Sequence, residues 1–260
     1  MRLGLGVSAA GIGFGSGLGT AVAAAYTANG VFFDGTNDYL TRGAGLDGAA
    51  DNKTATVSLW IRMNQDGTET RYFASQAVGA FFVLCRRNLT TNVINFQFVQ
   101  PSGAAVVWDG VTTTTLTVAD GWKHILYSVN TATNARSFWI SDVQETMASE
   151  TYNTNTTIDW TIPEWAVGAA PIGITKHNGD LADLYVASEF IDFTVEANRR
   201  KFISAAGKPV NLGSDGSTPT GTAPLMFFSG STVAWHTNKG SGGGFTANGA
   251  LTDSTTSPSA

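Results

Sequence analysis

Apolar and polar residues alternate with a period of two along residues 55–63 (ATVSLWIRM), 93–100 (VINFQFVQ) and 122–129 (WKHILYSV), the spacing of a strand with one buried face. In the first, Ala55, Val57, Leu59, Ile61 and Met63 share one face, and Thr56, Ser58, Trp60 and Arg62 share the other. Ile94, Phe96 and Phe98 alternate with Asn95 and Gln97 in the second, and Ile125, Tyr127 and Val129 repeat the pattern in the third. Residues 81–84 (FFVL) are continuously apolar, which predicts a strand buried on both faces. Residues 31–40 (VFFDGTNDYL) place Asp34, Gly35, Thr36, Asn37 and Asp38 between two apolar ends, a strand, a tight turn or bulge, and a second strand. Residues 135–140, 157–165 and 181–190 supply further strands between Gly, Asn, Thr and Pro clusters. One segment reads as helical: Thr194 can cap it, Glu196 lies in its first turn, Arg199, Arg200 and Lys201 follow, and Val195, Phe202 and Ile203 form an apolar face. Many evenly spaced strands with one short helix predict an all-β, two-sheet antiparallel sandwich of jelly-roll type.

The two ends depart from this pattern. Every second residue from Gly11 to Gly19 is glycine, with Ile12, Phe14, Ser16 and Leu18 between. As an extended segment it would carry all its glycines on one face, and glycine gives up so much freedom on ordering that a partner must hold it. Residues 1–29 are therefore expected to be an anchoring arm, with Leu3, Leu5, Val7, Ile12, Phe14 and Leu18 as its partner-anchoring side chains. Met1, Arg2, an apolar run and the alanines of residues 21–25 also resemble a secretory signal, although interior glycines disfavour the helix such a signal forms. A membrane span is not expected, since no run of about 20 strongly apolar residues occurs. Residues 207–260 have little strand pattern beyond 225–228 and 233–235. This extension is expected to pack on the domain of residues 30–206 or on neighbouring subunits, with strand addition or grooves on a neighbour as the simplest way to order it.

Composition sharpens the reading. Aromatic residues are 11% of the 260 and charged residues 13%, the latter about half the usual share, which implies a large core beneath a neutral Thr/Asn/Ser-rich surface. That surface suits a crowded assembly or contact with sugars. The formal charge is −5 and the one basic cluster is residues 199–201, which argues against a nucleic-acid partner. The single cysteine, Cys85, follows an apolar run and can form no disulfide within the chain.

Four motifs occur in order: FDGTNDYL at residues 33–40, VSLWIR at 57–62, GWKHI at 121–125 and GDLADLYV at 179–186. Together they resemble the laminin-G-like members of the concanavalin A-like lectin/glucanase superfamily across residues 31–203. The tail, from GKPVNLG at residues 207–213 through PTG at 219–221 to NKGSGG at 238–243, is similar to the ending of laminin-G-like proteins encoded by tailed bacteriophages. The resemblance implies a non-enzymatic structural protein of a phage virion, a tail appendage or capsid decoration component assembled in the host cytoplasm. It would dock on other virion proteins through its arm and form a homo-oligomer. A carbohydrate-binding module for host surface glycans is the alternative, and a secreted glycoside hydrolase a further one.

The sites implied by the superfamily are less sharply marked. Hydrolases need two carboxylates flanking the sugar bond, and Glu189, Asp192 and Glu196 form the acid cluster that invites this reading. Their spacing puts Glu189 and Asp192 on opposite faces of a strand, and Glu164 beside Trp165 has no evident partner, so no catalytic residue is assigned. Relatives often hold a structural calcium; Asp183 falls where a ligand would match, with Asp34 or Asp38 as neighbours, while a role in the turn alone accounts for Asp34, Asn37 and Asp38. His124, His177 and His236 are isolated and lack zinc spacing. Trp108, Trp139, Trp160, Trp165 and Trp235 could stack on sugars, but tryptophans in a sandwich more often fill its core.

Overall fold

The computed structural model describes residues 26–103 and 105–260. The anchoring arm and its six anchor residues, Leu3, Leu5, Val7, Ile12, Phe14 and Leu18, lie outside the described residues.

In chain order the strands are β1 (Val31–Asp34), β2 (Tyr39–Arg42), β3 (Thr54–Met63), β4 (Thr70–Ala77), β5 (Ala80–Arg87), β6 (Val93–Val99), β7 (Val106–Thr115), β8 (Lys123–Asn130), β9 (Ala135–Ile140), β10 (Val143–Gln144), β11 (Met147–Tyr152), β12 (Glu164–Val167), β13 (Asn178–Ala187), β14 (Met226–Phe228), β15 (Thr246–Asn248) and β16 (Thr252–Asp253). Two α-helices of one turn each, α1 (Glu196–Arg199) and α2 (Thr232–Trp235), and two 3-10 turns, Pro101–Gly103 and Val118–Asp120, complete the list among the described residues. One sheet has the order β10-β9-β8-β3-β13-β1-β16, with β14 also on β13; the other runs β11-β7-β6-β5-β4-β12-β2-β15. Every pairing is antiparallel. This is the jelly-roll sandwich that the alternating pattern predicts.

The apolar faces meet between the sheets. Ala55, Val57, Leu59, Ile61 and Met63 of β3 are buried there against Phe96, Phe98, Trp108, Tyr127 and Phe138. Residues 31–40 form two strands as expected, but β1 and β2 belong to different sheets, so the turn is an arch and not a hairpin. Asp34 shapes it by accepting from the backbone N–H groups of Thr36, Asn37 and Asp38 at 2.7, 3.0 and 3.2 Å.

Three expectations are corrected. The first is that β3 is half-buried. Its second face is also covered, because Thr56, Ser58 and Trp60 lie under an outer layer that brings Ile191, Phe193, Phe202, Leu212 and Phe227 over the sheet. The polar groups beneath it are paired: the Ile191 N–H donates to Thr56 Oγ1 at 3.1 Å, and Ser128 Oγ donates to the Ile191 carbonyl at 2.7 Å. The second is the Thr194 cap. Thr194 instead donates N–H and Oγ1 to Asp192 Oδ1, and the helix starts after Val195.

The third concerns the tail, expected to pack on the domain or on neighbouring subunits, with a neighbour as the simpler account. It is built into its own domain, where β14, β15 and β16 extend the two sheets and Leu225, Met226, Phe228, Trp235 and Phe245 enter the main core. Asn238 supplies backbone partners that the irregular chain lacks. Its Oδ1 accepts the Phe227 N–H at 2.8 Å, and its Nδ2 donates to the carbonyls of Leu225 and Gly243 at 3.0 and 2.9 Å.

Candidate functional site

The outward face of the second sheet carries two cross-strand ladders. One runs Arg71, Arg86, Asn95, Val111, Ser149 from β4 to β11; the next runs Ala166, Ala74, Leu84, Gln97, Asp109, Thr151 from β12 to β11. Alternation puts these side chains opposite the core-facing Cys85, Phe96 and Trp108. Where the ladders cross β5, β6, β7 and β11 they line a groove of about 170 Å³. Its floor mixes the apolar Leu84 and Val111 with two amides, a guanidinium and a carboxylate.

The charged end is held firmly. Arg71 and Arg86 share Glu69 Oε1, at 3.1 and 2.8 Å. Arg71 also donates from Nε to Thr175 Oγ1 at 3.0 Å and lies 3.9 Å over the Phe81 ring. Burial pulls the Arg71 pKa down to about 10, with Arg86 acting in the same direction and Glu69 opposing it. On the far side of the groove Asp109 Oδ1 accepts the Thr151 N–H at 3.1 Å.

Four buried polar atoms on this face have no hydrogen-bond partner: Arg71 Nη1, Gln76 Oε1, Arg86 Nε and Asn95 Oδ1. An unpartnered buried polar group costs about 1–3 kcal/mol, so these atoms, two of them on residues that line the groove, call for an explanation. Polar donors and acceptors next to apolar ring-sized surface can hold a polyhydroxylated ligand by its hydroxyls and its C–H face.

The residues singled out from sequence fall elsewhere. Trp108, Trp139, Trp160, Trp165 and Trp235 are all buried, so none is a stacking platform. Asp192 shapes its turn and Glu196 pairs with Arg200 at 2.8 Å; Glu164 is exposed on β12, opposite Gln76. The grouping of Asp183 with Asp34 or Asp38 as calcium ligands is corrected by topology. Asp34 pairs with Asn178 at one end of β13, whereas Asp183 lies further along that strand, accepting the Tyr26 hydroxyl at 2.9 Å. Asp38 Oδ1 accepts the Ala250 N–H at 2.8 Å. Among the described residues no three His, Cys, Asp or Glu side chains converge. His124 and His177 are buried, their pKa values pushed down to about 3 by desolvation, with Ser58 Oγ 2.8 Å from His124 Nε2 and Thr70 Oγ1 2.9 Å from His177 Nδ1. Burial raises Cys85 to about 12. No described helix is long and apolar enough to cross a membrane.

Sequence reasoning missed Arg71, Gln76, Arg86 and Asp109 as site residues, and read Asn95 and Gln97 only as the polar half of a strand. The available signal was that pair of amides two residues apart on a strand whose other face is wholly apolar.

No family model matches the chain, and no curated protein matches it by sequence. Solved structures do. The heptameric SAP-like pentraxin of Limulus polyphemus aligns with a TM-score of 0.52 and 14% identity over 87% of this chain and 94% of its own. A Bacteroides ovatus protein, described provisionally as carbohydrate binding, aligns with a TM-score of 0.57 and 11% identity over 89% of this chain; the match spans 62% of that protein. Domains LG4-5 of mouse laminin α1 align with a TM-score of 0.43 and 12% identity over 64% of this chain and 42% of theirs. The fold of this chain is the concanavalin A-like jelly roll.

Proposed function

We propose that this chain is a non-enzymatic carbohydrate-binding jelly-roll domain that holds a glycan in the groove across β5, β6, β7 and β11. The observation that carries the reading is the pair of unpartnered polar atoms on Arg86 and Asn95, two residues that line one solvent-open groove, with those of Arg71 and Gln76 beyond it on the same sheet face. Asn95 and Gln97 offer amide donors and acceptors, Arg86 donates, Asp109 accepts, and Leu84 and Val111 meet the C–H faces of a sugar ring. The description of the Bacteroides ovatus neighbour is consistent with this chemistry. A glycan array probed with the full chain tests it: binding that is lost in the Asn95→Ala/Gln97→Ala double variant is the expected result, and a blank array overturns the reading. A blank hydrolysis assay on β-glucans is expected as well.

A second reading concerns the setting. The resemblance of residues 207–243 to the ending of tailed-phage proteins favours a virion component, a tail appendage or capsid decoration protein displaying this domain as a homo-oligomer. It would be anchored on other virion proteins through Leu3, Leu5, Val7, Ile12, Phe14 and Leu18. Deleting residues 2–20 is expected to abolish incorporation into particles while leaving the domain folded. Normal incorporation of the truncated chain would contradict the anchoring role.

A further inference from the structure

On the other sheet, the face turned away from the core carries the ladder Thr252, Phe32, Asp180, Arg62 across β16, β1, β13 and β3. The sequence read Arg62 as the polar side of a strand and Asp180 as part of a motif, and neither has a role in the groove. Asp180 is fully buried. Its Oδ2 takes both Nε and Nη2 of Arg62, at 2.8 and 2.7 Å, while its Oδ1 has no hydrogen-bond partner. A carboxylate buried with one oxygen outside any hydrogen-bond geometry is costly, and burial raises its pKa against the opposing pull of the nearby Ser254 hydroxyl and of the Arg62 guanidinium.

The pair forms the floor of a pocket of about 200 Å³ whose walls are the half-buried Phe32 ring, the exposed Asn64, and Thr252, Asp253 and Thr255 from the tail. This is below the size of pockets that enclose a drug-sized ligand, roughly 300 Å³ and upwards, and suits one small ring. Charge decides its class. One guanidinium faces two carboxylates, Asp180 and Asp253, so the pocket repels anions such as uronic acids and phosphates. A divalent cation is disfavoured too, because Arg62 already occupies the inner side of Asp180 and Asp253 Oδ1 takes the Thr232 N–H at 2.9 Å. What fits is a neutral ligand with adjacent hydroxyls and one apolar face: hydroxyl donors to Asp180 and Asp253, acceptors for Arg62 and Asn64, and a C–H face against Phe32.

We propose that this pocket is a second binding site, for a single uncharged sugar ring, independent of the groove on the opposite sheet and built in part by the C-terminal tail. Two sites facing opposite ways would let one domain bridge two glycans or bind a branched surface with added avidity.

The test is an NMR titration of the ¹⁵N-labelled full chain with the methyl α- and β-glycosides of glucose, galactose and mannose, and with methyl glucuronide as the anionic control. At least one neutral glycoside is expected to bind at millimolar concentration, shifting the amides of Asn64, Thr252 and Thr255 and the Arg62 Nε signal, with no such shift from the glucuronide. Binding should survive Asn95→Ala/Gln97→Ala in the groove and weaken about tenfold, roughly 1.4 kcal/mol, in Asp180→Asn. Because that variant removes the partner of Arg62, Thr255→Trp provides a second arm: it fills the pocket mouth from an exposed position and should also abolish the shifts. Absence of shifts at these residues with every neutral glycoside, or shifts untouched by Thr255→Trp, would overturn the proposal and leave the pocket as a water site.

Discussion

Asp183, His124 and His177 are buried ionisable groups whose titrations pull stability in opposite directions. Burial raises Asp183 from 3.8 to about 6, so between these values the folded chain holds a proton that the unfolded chain does not, and stability falls as pH rises through that window. The two histidines are lowered from 6.5 to about 3. Between those values the unfolded chain binds their protons and the folded chain does not, so stability is lost as pH falls. Among these three groups two protons oppose one, so their joint contribution on acidification from about pH 6 to pH 4 is destabilising, with a slope of roughly one proton, or about 1.4 kcal/mol per pH unit. Asp183→Asn removes the opposing group and should steepen that slope towards two protons in urea unfolding across the same range. An unchanged slope would mean that Asp183 is not titrating there. The sequence offered no sign of this, since an aspartate in a GDLADLYV strand gives no indication that Tyr26 lies above it.

At the scale of elements, the β4–β5 hairpin contains the clearest local conflict between residue and backbone. Val78 and Gly79 form its two-residue loop with φ of 49° and 78°, the geometry of a type I′ turn that favours Asn-Gly. A β-branched residue pays a steric penalty there, and Val78 is fully exposed, with no packing to compensate. Val78→Asn should stabilise the domain by about 1 kcal/mol, read from the urea midpoint. No change would show that the turn relaxes to tolerate valine.

Legibility at this scale followed periodicity. Strands β3 and β6 were readable because one of their faces is continuously apolar, and β8 and β9 because Ile125, Tyr127 and Val129 and then Phe138 and Ile140 mark most of one face. The strands β4 and β7 were not: β4 presents Arg71, Ser75 and Gln76 among its apolar residues, and the second half of β7 is a run of threonines. Half of the residues that line the candidate groove come from β7 and β11, neither of which the pattern marked as a strand. The second buried face of β3 was invisible because Thr56 and Ser58 are satisfied by residues more than sixty positions away.

For the whole molecule, the tail is the feature that sequence reasoning placed least well. Its composition resembles a linker, yet Trp235 is fully buried and β14, β15 and β16 are paired into both sheets. What orders it is side-chain amide and hydroxyl bonding to irregular backbone, which leaves no periodic trace. Ser254 N–H donates to the Gly30 carbonyl at 2.8 Å, Ser257 Oγ to the Ala28 carbonyl at 2.6 Å, and Trp122 Nε1 to Thr256 at 3.0 Å. A chain ending at residue 206 should therefore fail to fold, losing the cooperative unfolding transition of the full chain by circular dichroism. A cooperative transition in the truncated chain would contradict the integral role of the tail.

The central claim is that a glycan lies on the outward face of the β5-β6-β7-β11 half of the second sheet. Calorimetric titration of the full chain with an oligosaccharide selected on the array tests it most directly, comparing wild type with the Asn95→Ala/Gln97→Ala variant, whose changes lie on that face. The account predicts at least about a tenfold loss of affinity with an unchanged unfolding midpoint; equal affinity in the two proteins would contradict it.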